Sequence, residues 1–446
     1  MIRATCLGHA ALLIETDTTR VLMDPILGAA VSGGGNIIDP PRELNVAALN
    51  ELDIVIISHH HSDHYNLNDL GMIPDAVRQH FVIPDDEVME AALMRWGAHR
   101  VTRLSHGQCI ETGDLRLTAT RSEVPFSEMG ILFQQGDLRL LNLVDTVFHP
   151  HMRELAELCG GTLDMVLAPF QAGGYMSFLP LREGGFPSGL VPAIEAWSAE
   201  YLEELAADIT QLHPRFAAAF ADGLAYEDAG INARHFPLPD SLFIKRLATM
   251  GIAGCSARPG LVVEINEGSE PKTCQAAETL VRVFPERAAR RRFDPSVPLS
   301  DRPLSWHELP LGGREATPLL DWLPILSERM AARLDHLRAQ PNAESVRQTL
   351  AEWHLELLDP ASPAILFCDW PEDGAPFVRK VAAWPTSRPY GIVCHGADLS
   401  LVALGELNLE TITLGGLFRY RSPKEDHELE RLRGRALRPL DWLFGP

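Results

Sequence analysis

The apolar run Asp53-Ile54-Val55-Ile56-Ile57-Ser58 opens directly into His59-His60-His61-Ser62-Asp63-His64-Tyr65. Four imidazoles within six residues at the end of a strand are costly to bury without partners. A metal supplies that partner, because neutral imidazoles bind zinc or iron through one ring nitrogen and the carboxylate two residues after His61 adds negative charge. One turn of chain therefore offers donors for two adjacent cations.

Such a loop needs a rigid frame. Alternating or continuous apolar runs predict strands at 11–15, 20–24, 53–58, 115–119 and 139–145, and amphipathic spacing predicts a long helix over 193–212. Sheets covered by helices follow from that order. With 446 residues the chain exceeds one ordinary core and suits two or three units. The text turns Pro-rich and charge-rich between 266 and 315, including Glu286-Arg287-Ala288-Ala289-Arg290-Arg291-Arg292, which reads as a linker or surface excursion with a solvated arginine face. Helices are predicted at 319–337 and 343–357, strands at 364–368, 390–394 and 412–414, a turn at Gly415-Gly416, and a last polar helix from about Pro423. The expected division is 1–265, 266–315 and 316–446.

Composition narrows the function classes. Hydrophobic residues make up 46% and charged residues 22%, an ordinary globular balance. No apolar run approaches the roughly 18 residues that cross a bilayer, so no membrane partner is expected. A formal charge of −21 argues against nucleic acid as a partner. The N-terminus lacks a secretory pattern, and the seven cysteines show no CxxC spacing, which points to a reducing, cytoplasmic setting. Gly33-Gly34-Gly35-Asn36 lacks the Lys-Ser/Thr of a phosphate loop and reads as a turn.

The cluster His59-x-His61-x-Asp63-His64, preceded by Val21-Leu22-Met23-Asp24-Pro25, resembles the metallo-β-lactamase superfamily. The resemblance implies an α/β fold, an αββα sandwich, followed here by a smaller α+β domain. It assigns His59 and His61 to one metal ion and Asp63 and His64 to a second, with His60 as a non-ligand. Asp24 would brace a ligand from behind, and Asp145 would bridge the two ions and orient the reacting water or oxygen. Where the superfamily has a third histidine, the stretch 118–125 has none, and Glu123 is the available donor, with a catalytic role beside Asp145. The last superfamily histidine is also missing after 214–223. His235 is the nearest replacement and Asp222 the second choice, while His9 could line the pocket.

The order of Ile38-Asp39-Pro40-Pro41, Gln171-Ala172-Gly173-Gly174 and Ala257-Arg258-Pro259-Gly260 around that cluster resembles the non-Rieske part of cytidine monophosphate N-acetylneuraminic acid hydroxylase. The segment 414–423 resembles that family's end and a sterol-carrier-like domain. The paired Cys and His ligands of a Rieske centre are missing. An oxygen-rich set with Asp63, Glu123 and Asp145 favours iron over zinc or manganese, as in the superfamily's di-iron hydroxylases. The favoured reading is thus a non-haem di-iron oxygenase acting on a small molecule, with an external electron donor. A two-metal hydrolase of a lactone, amide or phosphoester is the alternative, and a non-catalytic scaffold the third. The C-terminal unit would bind an apolar substrate or form a homodimer.

Overall fold

A computed structural model of the chain describes all residues except 125, 171–189, 222, 234–239, 286–296, 298–299, 301, 310–318, 360–362, 372–376, 383–386, 405–406, 408, 414, 422–437 and 445–446. His235, Asp222, the segment 171–174, the whole arginine run 286–292 and the start of the expected terminal helix lie outside the described residues.

Two sheets face each other. The first runs in the order Lys272–Gln275, Leu261–Ile265, Ile2–Gly8, Ala11–Glu15, Arg20–Met23, Ile54–Ile56, His80–Pro84, Arg100–Leu104. The second runs Cys109–Thr112, Leu115–Ala119, Ile131–Gln135, Leu138–Asn142, Leu163–Pro169, Pro214–Phe220, Ala253–Ser256. The two-residue period of a strand sorts the side chains. Leu12, Ile14, Val21 and Met23 join Leu117, Phe133, Leu140 and Met165 in the core between the sheets. Their neighbours Leu13, Leu22 and Val55 turn outward under Met89 and Leu93 of the helix Glu87–Trp96. On the far side Leu141, Val166 and Ala217 pack under Leu205 and Ile209 of Leu190–Gln211 and Phe243 and Leu247 of Asp240–Thr249. The layers are helix, sheet, sheet, helix.

Strands from two parts of the chain meet in a small third sheet, the neighbouring Ala30–Val31 and Asn36–Ile38 and the distant Leu224–Tyr226. Two segments read as linker are strands: Lys272–Gln275 pairs with Leu261–Ile265, and Val281–Val283 pairs with Arg42–Leu44.

The C-terminal sheet has the order Phe377–Val381, Ala364–Asp369, Trp353–Leu358, Tyr390–His395, Phe418–Arg421. The helix expected over 343–357 ends at Ala351, because Trp353, Leu355 and Leu357 alternate into the core with strand period and are all fully buried. Of the strand expected at 412–414, Ile412 and Thr413 instead end the helix Leu409–Thr413, and 414 lies outside the described residues. Among the described residues no helix is long and apolar enough to cross a membrane.

Candidate metal centre

The strand Ile54–Ile56 ends between two parallel neighbours, Arg20–Met23 and His80–Pro84, so its following loop is delivered at one edge of both sheets. The loop turns back at once, with His64 N and Tyr65 N both donating to His61 O. This brings His59 Nε2 within 2.8 Å of His61 Nδ1. His64 Nε2 sits 3.7 Å from Asp63 Oδ2 and 3.3 Å from Asp145 Oδ2. His9 Nε2 donates to Asp63 Oδ2 at 3.0 Å. Two groups of donor atoms form, His59 with His64 and Asp145, and His9 with Asp63 and His64, each within 4.8 Å of one another.

Asp24 fixes the tautomers. Its Oδ1 accepts from Ser58 N at 2.7 Å, and its Oδ2 accepts from Ser58 Oγ at 2.7 Å and from His64 Nδ1 at 3.0 Å. The Ser58 hydroxyl, with its proton on Asp24, accepts from His59 Nδ1 at 2.9 Å. A proton on both Nδ1 atoms leaves the Nε2 of His59 and of His64 as the outward lone pairs, the form that ligates. His64 Nε2, Asp63 Oδ1, Asp145 Oδ1 and His9 Nδ1 are buried without hydrogen-bond partners. Orphaned buried atoms of that kind demand an explanation, and a divalent cation fits donors of this chemistry.

The electrostatics agree. Burial, reinforced by the neighbouring imidazoles His64 and His61, pushes His59 well below the usual histidine range, and burial takes His61 down to about 4. Both are therefore neutral, the form in which an imidazole can bind a metal. For His64 burial works downward, but Asp63, Asp145 and Asp24 outweigh it and raise it well above that range. Three carboxylates converge there, a place that favours positive charge.

The backbone is bent to make this arrangement. His9, Asp24, Val144 and Ala221 all hold positive φ, at 49°, 45°, 52° and 60°. For a β-branched residue such as Val144 this is an outlier, and it aims the next residue, Asp145, at the cluster. Strain of this kind concentrates at functional sites.

The structure brings together His59, His61, Asp63, His64 and Asp145, with Asp24 behind them as read from the sequence. Glu123 is elsewhere: its carboxylate is half exposed and bonded to His151, with Arg121 3.7 Å away. The carboxyl near the cluster is Glu128, 2% exposed, with Oε1 3.6 Å from His59 Nδ1. Burial raises it to about 7, against the bond from the Ser122 hydroxyl. Its loop is pinned by Met129 N on Ser58 O at 3.1 Å and by Val147 N on Ser122 Oγ at 2.9 Å. The sequence reading missed Glu128, and its proximity to the strand Ile131–Gln135 was the available signal. His9, read as pocket lining, enters a donor group. Phe126 lies against His60 and His61, with ring centroids 5.0 and 4.8 Å away.

Residues 3–178 match the family described as β-lactamase superfamily domain. A UPF0173 protein of Pyrococcus furiosus is 30% identical over 165 residues, covering 36% of this chain and 67% of that protein. A UPF0173 metal-dependent hydrolase of Opitutus terrae is 29% identical over 126 residues, covering 25% of this chain and 51% of the relative. Among solved structures, CmlA, a diiron β-hydroxylase from Streptomyces venezuelae, aligns with a TM-score of 0.43 at 15% identity, over 61% of this chain and 54% of its own.

Proposed function

Because this chain belongs to the metallo-β-lactamase superfamily and is a metal-dependent enzyme of that fold, we propose that it is a hydrolase of small molecules, with its cations held by His59, His61, Asp63, His64 and Asp145. The observation that carries the reading is His64 Nε2, which is buried, without a hydrogen-bond partner, and faced by Asp63 and Asp145. Bound there, a divalent cation supplies Lewis acidity, polarising a carbonyl or phosphoryl oxygen and lowering the pKa of water to about 7.

The chain's own residues supply the rest. Asp24 and Ser58 hold the two imidazoles so that neither ring can turn away. Asp145, its side chain 20% exposed against 12% for Asp63 and 0% for His64, is the more open of the two carboxylates and would orient the attacking water. Glu128, a buried carboxyl raised to about 7, can hold or give up a proton near His59 in the neutral range. Phe126 covers the histidines with an apolar ring and limits entry of bulk water.

Hydrolysis is favoured over O2 chemistry because Glu123, the residue on which an oxygen-rich ligand set rested, points to solvent. The Opitutus relative's description supports the same reading. One observation favours the di-iron oxygenase as a second reading: Glu128 places a further carboxyl beside His59 and within electrostatic reach of Asp145, and oxygen donors suit iron. The test is a panel of lactones, amides and phosphoesters incubated with the protein loaded with zinc, manganese or iron, with O2 monitored. Chelator-sensitive cleavage without O2 uptake is expected. Substrate-dependent O2 consumption, with iron and an added reductant, contradicts the hydrolase and supports the oxygenase.

A further inference from the structure

The loop Ser32–Gly35 contributes no donor, yet it is caught between the donor loop and the C-terminal unit. On one side Ser32 Oγ lies 3.3 Å from Ser62 Oγ, and Ser62 stands between His61 and Asp63. On the other side the approach tolerates no side chain. A Cβ on Gly33 would meet Thr411 Cγ2 at 2.4 Å, and one on Gly35 would meet Gly415 Cα at 2.5 Å. One on Gly415 would meet Ser32 O at 3.1 Å and Thr411 O at 2.2 Å. The approaches of Gly35 and Gly415 are backbone-to-backbone, so a shift of the turn Gly415–Gly416 carries Ser32 with it.

The contact is locked beside the loop. Glu227 N donates to Gly35 O at 2.9 Å, and Arg419, 2% exposed, donates to Asp228. The same guanidinium donates to Gly416 O at 3.3 Å, while Asp228 Oδ1 caps the helix Ala229–Asn232 through Gly230 N at 2.8 Å. One buried ion pair thus ties the turn to the first unit. Ser32 is itself 1% exposed with φ 50°, a conformation unfavourable for a serine that only fills a turn.

We propose that the C-terminal unit is a positioning element of the metal centre: its Gly415–Gly416 turn sets the Ser32–Gly35 loop, and the Ser32 hydroxyl holds Ser62 so that Asp63 and His64 face one cation position. Ser32 is then a positioning residue, two steps removed from the cation. The inference rests on the reading of the cluster as a metal centre.

The test uses the full chain, stripped with chelator and titrated with cobalt(II), whose visible spectrum reports ligand geometry. The wild type is expected to bind cobalt at the cluster. Ser32→Ala and Ser62→Ala each weaken the ion at Asp63 and His64 by about tenfold, the lower end for residues that orient ligands, and shift its visible bands. The double variant binds no more weakly than either single one, as coupled partners do. Asp228→Asn keeps the oxygen that caps the helix, loses the charge facing Arg419, and weakens the same ion. Wild-type affinity and spectrum in a folded Ser32→Ala protein overturn the inference and leave the metal centre standing. Failure of the wild type to bind cobalt overturns both. If Ser32→Ala does not fold, Asp228→Asn decides by the same readouts.

Discussion

His64 Nδ1 lies 3.0 Å from Asp24 Oδ2, and both side chains are fully buried. The same carboxylate takes the Ser58 amide and hydroxyl, each at 2.7 Å, so one residue orients His64 directly and His59 through the Ser58 hydroxyl.

Asp24→Asn is the direct probe of that brace. An amide nitrogen in place of one oxygen donates where the carboxylate accepts, and it turns one imidazole lone pair inward. Metal affinity, read by competition with a chromophoric chelator, is expected to fall about 10–100-fold. An unchanged affinity in a folded variant contradicts the assignment of Asp24.

Gly223 backs the other wall. A Cβ there would lie 2.9 Å from His9 N and 3.0 Å from His9 Cα, main-chain atoms with no room to yield. Gly223→Ala is expected to displace His9 from Asp63, lower the melting temperature by the equivalent of about 1–3 kcal/mol, and weaken metal binding. A variant with wild-type melting temperature and metal affinity would show that His9 is not held from this side.

Asp69 carries a pH dependence away from the donors. Burial raises its carboxyl to about 6, against the amides of Gly28 and Leu27 and the charge of Arg42. The folded chain therefore binds that proton more tightly than the unfolded chain, whose aspartate titrates near about 4. The stability so gained is fully present below about pH 4 and is lost as the pH rises through about 6. Asp69→Asn keeps an oxygen for Gly28 N, now accepting at 3.2 Å. Relative to the wild type it is expected to gain on the order of 2 kcal/mol between pH 4 and pH 7, measured by urea unfolding. Parallel pH profiles would contradict this.

The donor loop was legible because its residues are local: His59, His61, Asp63 and His64 follow one strand, and their spacing alone brings them together. Asp24 and Asp145 were legible because each follows a plain apolar run, although the strand expected over 139–145 stops at Asn142 and Asp145 stands in the turn after it. Glu123 and Glu128 share a loop without periodicity, and which of them turns inward depends on the bond of Ser122 to Glu128 within the loop and on two contacts with distant segments, Val147 N on Ser122 Oγ and Met129 N on Ser58 O. His9 was read only as pocket lining because its approach to Asp63 depends on the backing of Gly223, 214 positions along the chain, and on a left-handed φ of 49°. The strands 272–275 and 281–283 were missed because they are edge pairings in polar text, exposed on most positions.

The most direct measurement is the metal content of the purified wild type, His61→Ala and His64→Ala, with folding checked by circular dichroism. The wild type is expected to hold about two divalent ions per chain, and each variant to lose at least one together with chelator-sensitive turnover. Unaltered metal content and turnover in both folded variants would contradict the metal centre and everything built on it.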